Sequence, residues 1–291
     1  MMLRLSPALF VFLWATGFIG AKLGAPYAEP MTFLTIRFAM VVPVMAVIAL
    51  ALSSSWPDRR GSIHAFIVGT LIHGMYLGAV FWAIDHGLSA GASALIVGLQ
   101  PVTTAFLAAP LLGERVTRTM VIGLVLGTIG VVLVLLPRTD LANSGATLAT
   151  VGVCVAGLLA VTLGTIYQKR FATGIDLVTG AVWQYLGALL FVGTLALVTE
   201  TGVVEWHIEF IVALLWSAAV LSIGAVTLLM FLIRRSDVSR VATLLYLVPA
   251  VVAVIAYVLF DERLAPLQFV GMACVALAVI LASRQPASNN R

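Results

Sequence analysis

Ten runs of helix length, each apolar almost throughout, follow one another along 291 residues with only short connections between them. They fall at approximately 5–24, 30–52, 64–85, 89–112, 118–136, 145–168, 177–199, 208–233, 238–260 and 264–283. Roughly 20 apolar residues in a helix cross a bilayer, and a helix satisfies its own backbone bonds where no water can. The chain is 62% hydrophobic and 10% charged, whereas soluble domains carry about a quarter charged residues. So much apolar surface cannot be hidden in a water-soluble core. The expectation is an all-α polytopic membrane protein with ten transmembrane helices and the lipid bilayer as its surroundings. The first run, behind Arg4, also has the form of a signal peptide, but the repeat described next needs it as a helix.

The chain repeats itself. Ala94 to Gly123 returns as Ala242 to Gly271, without a gap, at a shift of 148 residues. The shift pairs Pro101 with Pro249, Glu114 with Glu262, Arg115 with Arg263 and Gly123 with Gly271. Two units result, 1–140 with helices 1–5 and 141–291 with helices 6–10. Five helices is an odd number, so the second unit enters the bilayer upside down. Inverted repeats are a recurrent device of secondary transporters, with the substrate site near the midplane between them. If the N-terminus is cytoplasmic, twelve basic residues fall inside, Arg59, Lys169, Arg170, Arg234 and Arg240 among them. Three, Lys22, Arg138 and Arg263, fall outside. That bias places both termini in the cytoplasm.

The run GAVFWAIDHGLSAGASALIVGLQPVTTAFLAAPLLGERVTRTMVIGLVLGTIGVVLVL resembles the EamA module of the drug/metabolite transporter superfamily. The matching pieces are Ala83, Ser89 to Ala92, Pro101, Gly113 to Arg115, Gly123 and Gly130. The second half fits more loosely, through Pro249, Asp261 to Arg263 and Gly271, and has Ser236-Asp237-Val238-Ser239 where the first has its small residues. The resemblance implies a central cavity lined mainly by helices 1, 3, 4, 6, 8 and 9, with helices 5 and 10 at the periphery. It is specific as to family and weak on substrate. The aromatic-rich third helix is similar to that of bacterial amino-acid exporters, including exporters of aromatic amino acids.

Several side chains are candidates for the working parts. Pro101 and Pro249 each remove a backbone bond near the middle of a helix, which suits a kink, a cavity wall or a hinge. Arg37 lies about 10 Å inside its helix at 1.5 Å per residue, where a charge is costly and usually faces an interior. It can meet a substrate carboxylate, snorkel outward or pair with Glu29. His73 and Tyr76 share a face of the third helix, with Trp82 beyond them, and serve equally well as packing or as an aromatic cavity lining. An imidazole can also carry a coupled proton, although facilitated diffusion fits the sequence as well. Trp14, Tyr167, Trp183 and Tyr246 are further lining candidates. Glu114-Arg115 and Glu262-Arg263 read as structural, each carboxylate favouring the N-terminus of the helix that follows it. Gly123, Gly127 and Gly130 offer a small-residue face for packing against the tenth helix.

The functional expectation is a secondary transporter of a bacterial inner membrane. It would export amino acids, aromatic or hydrophobic ones among them, or similar small metabolites, by alternating access. Alternatives within the fold are carriers of drugs, nucleosides or sugars; a channel or a membrane scaffold stands further off. An enzyme is not expected: there is no HExxH and there are no paired intramembrane aspartates. The absence of a P-loop removes direct ATP use. Neither a cofactor nor a metal is expected, no nucleic-acid partner is suggested, and the protein is expected to be a monomer. Cys154 and Cys274 make no disulfide framework.

Overall fold

The computed structural model describes residues 2–24, 26–88, 90–114, 116–136, 147–260 and 265–283. Both ends of the chain, Arg115, Arg138, the Asp261 to Arg263 turn and the unit boundary expected at residue 140 lie outside the described residues. Within them the chain forms ten helical stretches and no strand, only an antiparallel bridge between Ala28 and Val204. They are α1 (Met2–Gly24), α2 (Pro30–Ala51), α3 (Arg59–Asp85), α4 in two pieces (Ala90–Val97 and Gln100–Leu112) and α5 (Arg118–Leu135). There follow α6 (Leu148–Phe171), α7 (Leu177–Thr199), α8 (Ile208–Arg235), α9 in three pieces (Val238–Thr243, Leu244–Tyr246 and Leu247–Phe260) and α10 (Pro266–Ser283). Seven of these, α2 to α8, are long and apolar enough to cross a membrane. α1, α9 and α10 supply shorter apolar stretches, Ser6–Gly17, Val238–Val252 and Pro266–Leu281.

Short polar side chains start the helices. Asp58 accepts from the Gly61 amide at 2.8 Å, and α3 therefore begins at Arg59, some five residues before its apolar run. Thr117 caps α5 through the Met120 amide, Thr147 and Thr150 form a capping box on α6, and Asp176 takes the amides of Val178 and Thr179 on α7. Each satisfies donors that a helix start leaves open. Gly113, at φ 70°, ends α4 in the left-handed conformation that glycine adopts at no steric cost.

Two prolines and two loosened turns break the regularity. α4 turns through Gly98 and Leu99, and its second piece starts at Gln100 with Pro101 in its first turn. α9 tightens to a 3-10 turn at Leu244–Tyr246, and Pro249 stands near the start of the piece that follows. Each proline thus opens a new helical piece rather than bending a continuous one. α3 widens to a π-helix at Thr70–Met75 and α8 at Ser217–Ala225.

Close backbone approaches hold the rods together. α5 packs on α10 where Gly130 meets Gly271: a Cβ at Gly130 would lie 2.8 Å from the Gly271 carbonyl oxygen, and one at Gly271 would lie 2.7 Å from that of Gly130. Gln268 of α10 adds a bond to the Val134 carbonyl at 2.8 Å. α3 crosses α7 just as closely, because a Cβ on Gly69 would overlap the Gln184 carbonyl and one on Gly187 the Phe66 carbonyl. The expected small-residue face of α5 therefore meets helices of its own chain.

Candidate functional site

At one end of the molecule α4, α6 and α8 finish and α9 begins, and basic residues gather there. Lys169 of α6 donates to the carbonyls of Ile233 and Ser236 at 2.9 Å each, closing the end of α8. Arg170 donates to the Leu111 carbonyl at the end of α4. Glu114 accepts from the amides of Val238 and Ser239 at 2.8 and 3.2 Å and from the Ser239 hydroxyl at 2.5 Å. The carboxylate expected to favour α5 instead caps α9, and Thr117 caps α5. The neighbouring Asp237 makes no side-chain cap of its own.

Beside this clasp lies a narrow, largely apolar cleft. Trp14 of α1, Gln100 of α4, Thr165 of α6, Leu229 of α8 and Val241 of α9 are among the residues of its wall. The wall thus draws on α1 and α4 from the first half of the chain and on α6, α8 and α9 from the second. Its polar groups are few. Thr165 spends its hydroxyl on the Thr162 carbonyl at 2.8 Å. Gln100 is 4% exposed, and sequence reasoning passed over it although it stands beside Pro101 in the repeated stretch.

A second polar centre sits between α2, α3, α7 and α8, where both π-helical segments pass. Arg37 is 6% exposed and donates from Nε to the Ser222 hydroxyl at 2.9 Å. Tyr185, which the 148-residue shift pairs with Arg37, donates its hydroxyl to the Ser222 carbonyl at 2.5 Å. His73 stacks on the Tyr185 ring with centroids 4.9 Å apart, and Phe38 flanks both rings. Among the described residues Arg37 has no carboxylate partner. Glu29, a partner considered for it, turns the other way and accepts from Thr201 and Gly202. Glu200 in return caps α2 through Met31 and Thr32. These bonds clasp α2 to the chain beyond α7 at the opposite end from Glu114. The Thr201 hydroxyl, donating to Glu29, holds that carboxylate below its ordinary pKa.

The seven cavity candidates are therefore dispersed. Trp14 lines the cleft, while Arg37 and His73 belong to the second polar centre. Tyr76 is buried beside Gly157 of α6. Trp82 stacks on His86 with centroids 3.9 Å apart at the far end of α3. Tyr167 bonds to His64 at 2.8 Å and packs on Phe171. Tyr246 turns outward, its ring against Gly127 of α5 and its hydroxyl bonded with Thr128 and the Leu124 carbonyl at 2.9 and 3.1 Å. Trp183 Nε1 is buried without a hydrogen-bond partner. Pro101 and Pro249 begin helical pieces in the two broken helices but are not among the residues of the cleft wall.

Known proteins resemble this arrangement over almost its whole length. A solved structure superposes with a TM-score of 0.80 at 16% identity, covering 96% of both chains, which speaks for the fold alone. An uncharacterized transporter of Bacillus subtilis is 26% identical over 284 residues, or 94% of this chain and 89% of its own. A probable amino-acid metabolite efflux pump of Escherichia coli is 27% identical over 277 residues, or 90% and 88%. An uncharacterized inner membrane transporter of the same organism is 20% identical over 286 residues, or 96% and 90%. The EamA-like transporter family matches residues 5–136 and 148–284. A multi-pass helical chain, matched in both halves and carrying a cleft between them, belongs to the EamA-like transporter family.

Proposed function

We propose that the protein is a secondary transporter that exports amino acids or similar small metabolites by alternating access across a bacterial inner membrane. In this reading all ten helices cross the bilayer, the two halves are inverted repeats, both termini are cytoplasmic, and the basic end with Glu114 faces the cytoplasm. The observation that carries it is the cleft between the halves, walled by α1, α4, α6, α8 and α9 and ending at the Glu114 clasp. Support for the inversion comes from paired irregularities. The π-helix at Thr70–Met75, moved by the 148-residue shift, falls within that at Ser217–Ala225, and the breaks before Pro101 and Pro249 pair likewise. The efflux-pump relative supports the substrate class, and the distribution of basic residues supports the orientation.

Uptake of labelled amino acids by purified protein in liposomes, with and without a pH gradient, tests the reading. Saturable uptake above empty liposomes is the expected result. Its absence for every amino acid, with folded protein, would end the amino-acid assignment and turn the search to drugs, nucleosides and sugars.

A further inference from the structure

At the basic end of the molecule the first turns of α3 stand beside the last turn of α6, and aromatic rings join them. The Tyr167 hydroxyl and His64 Nδ1 share a hydrogen bond at 2.8 Å. The His64 ring lies against Phe171 with centroids 5.2 Å apart and planes 14° from parallel. The Arg170 guanidinium stands 5.4 Å from the centre of the Phe171 ring. Arg60 precedes His64 by one helical turn and so shares its side of α3. The positive charge here is not neutralised within the chain. Arg59 and Arg60 are exposed and make no ion pair or side-chain hydrogen bond among the described residues. The nearby carboxylates are committed to helix caps: Asp58 takes the Gly61 amide, and Asp176 takes those of Val178 and Thr179. Tyr167, giving its proton to Nδ1, leaves the His64 Nε2–H for an acceptor from outside. Along the same two helices the exposed side chains then turn apolar, Ile63, Leu159 and Leu163 among them. Charge, then aromatic rings, then an apolar wall is the order in which a phospholipid presents its phosphate, its interfacial region and its acyl chains.

We propose that this groove between α3 and α6 is a binding site for an anionic phospholipid. Arg59 and Arg60 neutralise the phosphate, His64 donates to one of its oxygens, and an acyl chain follows the apolar side chains toward the middle of the bilayer. Because α3 and α6 belong to different halves of the chain, a lipid seated there bridges the two. The orientation proposed above decides only the leaflet, the cytoplasmic one, and the binding itself does not depend on transport.

The test titrates the full chain in detergent with phosphatidylglycerol and, separately, with phosphatidylcholine. Native mass spectrometry counts the bound lipid, and the thermal midpoint is followed in parallel. Phosphatidylglycerol is expected to bind about tenfold or more tightly than phosphatidylcholine and to raise the midpoint. Arg59→Gln and Arg60→Gln should each weaken that binding about fivefold, the scale of one interfacial charge, with the midpoint in phosphatidylcholine unchanged. His64→Phe, which keeps a ring against Phe171, should weaken it by a smaller factor. Arg118→Gln removes a charge at the same end, at the start of α5 and outside the groove, and should change little. A loss in Arg118→Gln as large as in Arg60→Gln would show diffuse attraction and overturn the site, as would equal binding of the two lipids. Inorganic phosphate raising the midpoint as much as phosphatidylglycerol would assign the groove to a free anion and overturn the lipid. Uptake assays bear on the transporter reading alone, so either idea can fail without the other.

Discussion

The carboxylate of Glu114 takes both the amide and the hydroxyl of Ser239, at 3.2 and 2.5 Å, and so ties the end of α4 to the first turn of α9. The cap comes from a helix in the other half of the chain, and the two helices it joins both wall the cleft. Glu114→Gln keeps the shape and removes the charge. Losing a cap of this kind costs on the order of 1 kcal/mol, about a fivefold change in an equilibrium. A single cysteine at Val241, in a background with Cys154 and Cys274 replaced, should then react about fivefold faster with an impermeant maleimide applied from the basic end. An unchanged rate would show that the tie does not restrain the cleft.

Ser222 is the acceptor for the buried guanidinium of Arg37. Hydrogen bonds to charged groups are worth about 1.5–3 kcal/mol, and a buried charge left unpaired is worse. Ser222→Ala should therefore lower the thermal midpoint of the detergent-solubilised protein clearly. In the Arg37→Met background the same substitution should cost much less, and equal losses in the two backgrounds would deny the coupling.

Trp14 and Tyr246 make a contrasting pair. Trp14→Ala, in the cleft wall, should reduce transport in folded protein. Tyr246→Phe removes the bonds to Thr128 and the Leu124 carbonyl and should cost about 1 kcal/mol of stability while leaving KM as it was. A raised KM in Tyr246→Phe would return Tyr246 to the substrate path.

Glycines give a graded test of packing. Gly130→Ala puts a methyl group against the backbone of Gly271 and should destabilise by about 1–3 kcal/mol, as overpacking does. Gly152→Ala in α6 meets nothing within 4 Å and should be neutral or slightly stabilising. Thermal midpoints of both variants decide the matter, and equal effects would contradict the crossing.

Glu29 supplies a pH dependence. Its carboxyl is held below the ordinary glutamate range, chiefly by the hydrogen bond from the Thr201 hydroxyl. A carboxylate lowered on folding stabilises above its unfolded pKa, and that contribution fades as pH falls through the folded value. The wild-type protein should thus melt above Glu29→Gln at pH 7, and the gap should close as the pH drops below about 4. A gap that persists in acid would assign the difference to something other than ionisation.

Much of this architecture is legible in the sequence because apolar run length and helix crossing are tied by simple geometry. The repeat locates Pro101 and Pro249, and the bias in basic residues marks the end that Lys169 and Arg170 close. Arg37 stands out as a charge within an apolar run. What stays hidden depends on contacts far apart in the chain. Glu114 looks like a cap for the helix beside it, and only tertiary packing gives it α9 instead. Tyr246 reads as a lining aromatic, yet the room left by Gly127 draws its ring toward α5. The π-helical turns change the facing of side chains that regular helical spacing would group together. Gln100 had one available signal: an amide beside the repeated proline, where the second copy carries Val248.

The crossing of Gly130 and Gly271 also governs how such a molecule can move. Two backbones in direct contact have no side chains between them to change rotamer and absorb sliding, so displacement along this seam is strongly resisted. In the alternating-access reading, opening and closing of the cleft is levered about this spine, and a small rotation there becomes a larger excursion at the distant ends of α4 and α9. Residues far from any substrate, on the outer wall of the protein, would thereby set the arc of its working stroke.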